Sequence, residues 1–395
     1  MKKTLFLLVI IVFTQVQLFA QEIIKKDNYR FEVIYNHDAL PVQNQNITGT
    51  CWSFSALSFF ESELIRMKKG EHKLSEMFIV HNAYQGKAEK YVRMHGKINF
   101  AQGGAFHDIP WVINQYGIVP QEVYSGLNYG EEQHKHGEME AVLKGMVDAI
   151  ISNPNKRLTT VWKDAIRAVL DTYLGELPEK FDYNGKSYTP KSYADELGLD
   201  MDNYVSITSF TNHNFYEKCQ IAIPDNWAWK SSYNVPLDDM MKTLDEALEN
   251  GYTVAWGSDV SEKGFAFREA LAIVPEDEST IIKKGKDNQN FSDAGAEKSS
   301  NAFKTPMKEK EITQEMRQNA YDNYETQDDH GMHITGMVKD QNGTKYYIVK
   351  NSWGTAHSDY DGYFYASEAY LRYKSINIYL HKDAVPRSVK RKLKL

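Results

Sequence analysis

QNQNITGTCWSFSA, residues 43–56, decides the fold. It carries Cys51, one of two cysteines in 395 residues. From Cys51 the spacing turns helical: Phe54, Leu57, Phe60, Leu64 and Ile65 recur on one face, and Gly70 closes the run. Cys51 therefore stands at a helix N-terminus, where the peptide dipole favours a thiolate. Gly49 permits a tight approach turn. A thiol so placed still needs a base, a group to orient the base, and donors for an oxyanion.

Those groups are sought late in the chain, in DDHGMHITGMVKDQNGTKYYIVKNSWG, residues 328–354. Asn342-Gly343 is a hairpin signal between two strand-like runs. The reading opens the first strand at His333 and closes the second at Asn351, so the hairpin brings them together. The Asn351 side chain then accepts from one imidazole nitrogen and aims the other at Cys51. Trp353 covers that hydrogen bond, and Gln45 reaches back to join the Cys51 N–H as an oxyanion hole. His330, three residues before His333, is read as a surface residue at the end of an acidic helical stretch.

The set Gln45, Cys51-Trp52, His333 and Asn351-Ser352-Trp353-Gly354 resembles the papain-like cysteine peptidases. KLSEMFIV (residues 73–80) and QGGAFHDIPWVINQYGIVPQEVY (residues 102–124) look like further family segments. The resemblance gives Gly103 and Gly104 the binding of extended substrate backbone, and Trp353 is expected beside them as a substrate-binding residue. It implies an α+β papain-like fold, with a helix-rich half carrying Cys51 and a β-barrel-like half carrying His333 and Asn351. The sequence departs from the family signature, in which His and Asn follow about 130–150 residues after the cysteine. Here His333 lies 282 residues and Asn351 300 residues beyond Cys51.

The extra length, GYTVAWGSDVSEKGF (residues 251–265) and ITQEMRQNAYDNYETQDDHGMH (residues 312–333) look like the bleomycin hydrolase and aminopeptidase C group. That resemblance implies an aminopeptidase and a homohexamer. In the group, a C-terminal arm holds the substrate's free amine. The sequence ends at Leu395, where that arm would begin, so relaxed endopeptidase action is a second expectation. The rival reading is a catalytically inactive papain-like protein that binds peptides or partners; the intact motif set favours the enzyme.

The remaining text fixes context. MKKTLFLLVIIVFTQVQLFAQ has a basic start and an apolar run too short to span a bilayer, so residues 1–20 read as a signal peptide. Residues 21–395 then form one peptidase domain, with a large helical insertion at roughly 130–250 and a polar loop at roughly 275–310. A glycan at the Asn46 sequon would crowd the site, which favours a bacterial protein exported to the periplasm or medium. Apolar content of 42% supports a core, and a net charge of −7 without a basic aromatic stripe argues against nucleic acid. Peptide or protein is the expected substrate, with no membrane span after cleavage, no cofactor and no metal. His134 and His136 lack further ligand spacing. Cys219 reads as a core residue, and Trp227, Trp229 and Trp256 as core by default.

Overall fold

The computed structural model describes residues 22–154, 157–285 and 296–395. The expected signal peptide and the middle of the polar loop lie outside these residues. Helix α1 (Cys51–Arg66) is buried on every side from Cys51 to Leu64, which makes it the axis of the molecule. Around it pack α2 (Glu76–Arg93), capped by the Ser75 side chain, and α3 (Asp108–Tyr116). The insertion supplies α4 (Gly137–Ile151), α5 (Trp162–Leu174) and α6 (Pro190–Leu197). Their apolar faces join the same core, so the extra residues thicken the helical half and form no separate lobe.

The other half is built on one large sheet. Its central path runs Tyr204–Thr208, Ser375–His381, Val254–Ser258, His330–Lys339, Lys345–Lys350 and Tyr363–Ser367, each neighbouring pair antiparallel. The class is α+β, as the sequence implies. The barrel-like half is corrected, because among the described residues the sheet stays open at both ends of its path. Part of the insertion, including Tyr204–Thr208 and Ser232–Asn234, pairs into this sheet instead of forming helix. α7 (Leu237–Glu249) packs on it with a strongly one-sided apolar face.

The predicted hairpin is present. Asp340 N–H donates to Thr344 O, Asp340 Oδ1 accepts from the Asn342 and Thr344 amides, and Gly343 takes φ 82°. The strand leading into it begins at His330, not at His333. Side chains alternate across a strand. Gly331 and His333 therefore face α1, while His330 shares its face with Met332 and Ile334 in the second core.

Phe59 sits where the halves meet, with its ring 5.7 Å from Tyr204, 6.0 Å from Tyr379 and 6.2 Å from His333. Phe59→Ala empties that contact. It is expected to cost about 3–5 kcal/mol in denaturant unfolding; a loss below about 1 kcal/mol would mean the halves do not depend on this seam.

Candidate active site

Cys51 opens α1, in the first turn where backbone N–H groups lack intrahelical acceptors. The loop before it is held from several directions. Gly49 N–H donates to Gln102 Oε1 at 2.7 Å, and Gln102 Nε2 in turn donates to Glu140 of α4 at 2.6 Å. Ile47 exchanges backbone hydrogen bonds with His134 and His136. The insertion thus braces the turn that leads into Cys51.

Cys51 lines a narrow cleft with Trp52, Gly104, Ile221, Asp225, Asp328 and His330, and its free volume is about 30 Å³. That volume admits about two water molecules. Cys51 is 8% exposed, and both Cys51 and Cys219 are free thiols. Burial pushes the Cys51 thiol up to about 12, with the charges of Asp225 and Asp328 adding to the rise.

The structure corrects the histidine. His330 Nε2 lies 2.7 Å from Asn351 Oδ1, which also accepts from the Ser352 N–H at 2.8 Å. An oxygen accepting there requires the imidazole proton on Nε2. Nδ1 is then a lone pair; it is buried and has no partner. The Trp353 ring lies 4.7 Å from the His330 ring. Burial lowers the imidazole to about 4, against the Asn351 hydrogen bond and the Asp329 charge.

His333 is elsewhere. Its Nδ1 lies 3.0 Å from Ser58 Oγ, which also accepts from Lys350 Nζ at 2.7 Å. Ser58 is seven residues along α1 from Cys51, or about 10 Å along the helix axis. His333 is fully buried, does not line the cleft, and is held well below its usual pKa by burial and by Lys350. An offset of three residues along a strand puts the two histidines on opposite faces, and only His330 meets the cleft.

The other expected residues divide. Asn351 is where the hairpin argument puts it, beside an imidazole. Gln45 is fully buried next to this region, but its Nε2 donates to Thr48 O at 2.7 Å and its Oε1 accepts from Ser352 Oγ at 2.6 Å. The amide is turned onto the protein and away from the cleft. Gly104 lines the cleft, whereas Gly103 lies under the Asp225 carboxylate. Trp353 shields the His330–Asn351 pair and does not line the cleft.

Sequence reasoning missed Lys87 of α2. Its buried ammonium donates to the carbonyls of Ala101 and Gln102 at 3.1 and 3.3 Å and also to that of Gly103, clamping the glycine segment. Lys87 falls at helical spacing from the buried Ala83, Tyr84 and Tyr91, and a lysine on that face was the available signal. Asp225 was not singled out and Asp328 reads from sequence as a solvated acid, yet both line the cleft, because a loop and a distant strand end meet only in three dimensions. No group of three or more side chains able to hold a metal occurs among the described residues.

An antiparallel sheet packed on a buried helix, with cysteine and an asparagine-held histidine at their junction, defines a papain-like cysteine peptidase. The chain belongs to the Peptidase C1-like family, whose model matches residues 12–270 and 296–395. Its substrates are peptides. It is 22% identical to Aminopeptidase C of Listeria monocytogenes, over 88% of this chain and 82% of that one. Against Aminopeptidase C of Lactobacillus delbrueckii subsp. lactis the identity is 25%, over 90% and 82%. The crystal structure of PepW from Lactobacillus rhamnosis shares the fold, with a TM-score of 0.68 and 18% identity over 92% of this chain and 84% of that one. No helix among the described residues is long and apolar enough to cross a membrane.

Buried histidines set an acid limit. His330 and His134 are lowered to about 4 and His136 to about 3, chiefly by burial, and His333 is lowered too. The unfolded chain binds these protons at about 6.5, so the folded state loses stability as pH falls through that value toward the folded pKa. His330, His134 and His136 each cost about 2–3 kcal/mol by pH 4.5. Denaturant unfolding of the protein and of His136→Gln should show a shallower acid slope in the variant; parallel slopes would refute the assignment.

Proposed function

We propose that the protein is an aminopeptidase in which Cys51 is the nucleophile, His330 the general base and acid, and Asn351 the group that orients His330. The observation that carries this is the His330 Nε2–Asn351 Oδ1 hydrogen bond, which leaves Nδ1 open in the cleft that Cys51 lines. The curated relatives named aminopeptidases support the substrate end of the reading.

In the resting cleft, burial favours a neutral thiol and a neutral imidazole. Proton transfer therefore accompanies attack. The Cys51 proton moves to His330 Nδ1 as sulfur bonds to the scissile carbonyl carbon. The Cys51 N–H faces the developing oxyanion. Imidazolium then returns the proton to the leaving amine as the C–N bond breaks. Water attacks the thioester with His330 as base, a new C–O bond replaces C–S, and the proton goes back to the thiolate. The imidazolium is stabilised by Asn351, and Trp353 keeps water from that bond.

Export is part of the same proposal. The basic start and short apolar run of residues 1–20 support it. N-terminal sequencing of protein recovered outside the cytoplasm should begin near Gln21.

The test exchanges the two histidines. His330→Ala should lower kcat/KM on an aminoacyl fluorogenic substrate by at least about 10³-fold with little change in unfolding. His333→Ala should retain the chemistry in whatever fraction stays folded, and should lower stability. Activity that survives His330→Ala and is lost in a folded His333→Ala protein would overturn the assignment.

A further inference from the structure

The cleft is unusually acidic for one built around a nucleophile that must carry negative charge. Asp225, Asp328 and Asp329 all line it with Cys51 and His330. Asp329 has structural duties, since its Oδ2 accepts from the Val260 and Ser261 amides at 3.4 and 3.1 Å. Asp225 accepts only a long hydrogen bond from Asn99, at 3.3 Å. Asp328 receives none that links its carboxylate to another described residue, and its acidity is weakened by burial and by the two neighbouring acids. The nearby cation is Lys87, whose ammonium is already committed to three carbonyls.

The loop bearing Asp225 is rigidly built. Asn226 ties it across with Nδ2 to Ile221 O and Lys230 O and with Oδ1 to the Lys230 N–H. Trp227 pins it to α3 through a 2.7 Å hydrogen bond to the buried Asp108. Held this way, the Asp225 carboxylate lies against Gly103 and leaves no room there even for a methyl group. Gly104, next in the chain, remains open to the cleft. A peptide seated along Gly104 toward Cys51 therefore meets a wall carrying a carboxylate one step upstream. Independently of the acids, the cavity contains an unpartnered buried nitrogen, His330 Nδ1, in a side chain 2% exposed, which marks where the ligand's reacting end sits.

We propose that Asp225, backed by Asp328, is the anchor for the free α-ammonium group of the substrate, and that the 220–231 loop is the stop admitting a single residue upstream of the scissile bond. This deepens the peptidase reading and rests on Cys51 and His330 working as above. A protonated α-amine fits the site in charge and size, and a charge-assisted hydrogen bond to a poorly solvated carboxylate is of the stronger kind. An acetylated or extended N-terminus puts an uncharged amide at that position and collides with the stop. The acids thus specify the substrate's terminus, and the side chain of its first residue is left to other walls.

Steady-state kinetics would use two fluorogenic alanine amides, one with a free amine and one acetylated. Asp225→Asn keeps the shape and removes the charge. It should lower kcat/KM on the free-amine substrate by about 10- to 100-fold, mostly through KM, without lowering it on the acetylated one. Asp225→Ala should open the wall and raise cleavage of the acetylated substrate. Asp328→Asn should show a smaller loss of the same kind. Equal effects on both substrates, or a wild-type enzyme that cuts both equally well, would overturn the proposal.

Binding separates this from the peptidase reading. Calorimetry on Cys51→Ser would compare alanyl-alanine amide with its acetylated form, with and without Asp225→Asn. Free-amine preference that disappears with Asp225→Asn supports the anchor even in a protein that hydrolyses nothing. Hydrolysis without that preference would leave the peptidase standing and remove the anchor.

Discussion

Helix α1 lies directly on the His330–Lys339 strand, and the rest of the site depends on that contact. Gly331 makes it close: a Cβ there would come within 2.7 Å of Ser55 Oγ and 3.3 Å of Trp52 Cα. Further along, His333, Ser58 and Lys350 join the same helix to the sheet through hydrogen bonds. The seam is buried, so its polar groups are costly unless paired. Because helix and strand are each stiff, fixing the seam at His333 and Ser58 also fixes Cys51 against His330 at its open end. His333 is thus a fastener, two helical turns from the chemistry.

The second theme is charge held in a dry place. Cys51 and His330 are both pushed toward their neutral forms. Glu61 is raised to about 8, chiefly by burial and by Glu76, while Lys350 beside it is lowered to about 8. Burial of this order makes each partner matter more than it would in water. Under the proposed mechanism it also reconciles the acidic cleft with chemistry at Cys51. A carboxylate that raises a thiol's pKa in the empty site is neutralised when an ammonium group binds, and the penalty on the thiolate is relieved as substrate arrives. Selectivity for a charged terminus and activation of the nucleophile are then the same electrostatic event.

Much of this was legible beforehand. The helix at Cys51, the Asn342-Gly343 hairpin and Asn351 beside an imidazole follow from local spacing and turn chemistry. The choice between His330 and His333 was not legible. It turns on where one strand begins, and element ends are set by neighbours: His330 is in the sheet because it pairs with Ser258. Gln45 shows the same limit. Its position six residues before Cys51 is in the sequence, but the direction of its amide is decided by Thr48 and by Ser352, 307 residues away.

What the sequence by itself determined was the family, the cysteine at the head of α1, the two structural halves and the asparagine that meets an imidazole. These rest on residue types at short range, where period and turn propensity are enough. The tertiary structure alone decided which histidine faces the thiol, that the sheet stays open, that the insertion braces the turn that leads into Cys51, and that Asp225 and Asp328 meet over Cys51. Each of those depends on which face of an element is turned inward. A side chain three residues along a strand points the other way, and only the packing of α1 onto that strand says which way is toward the cleft.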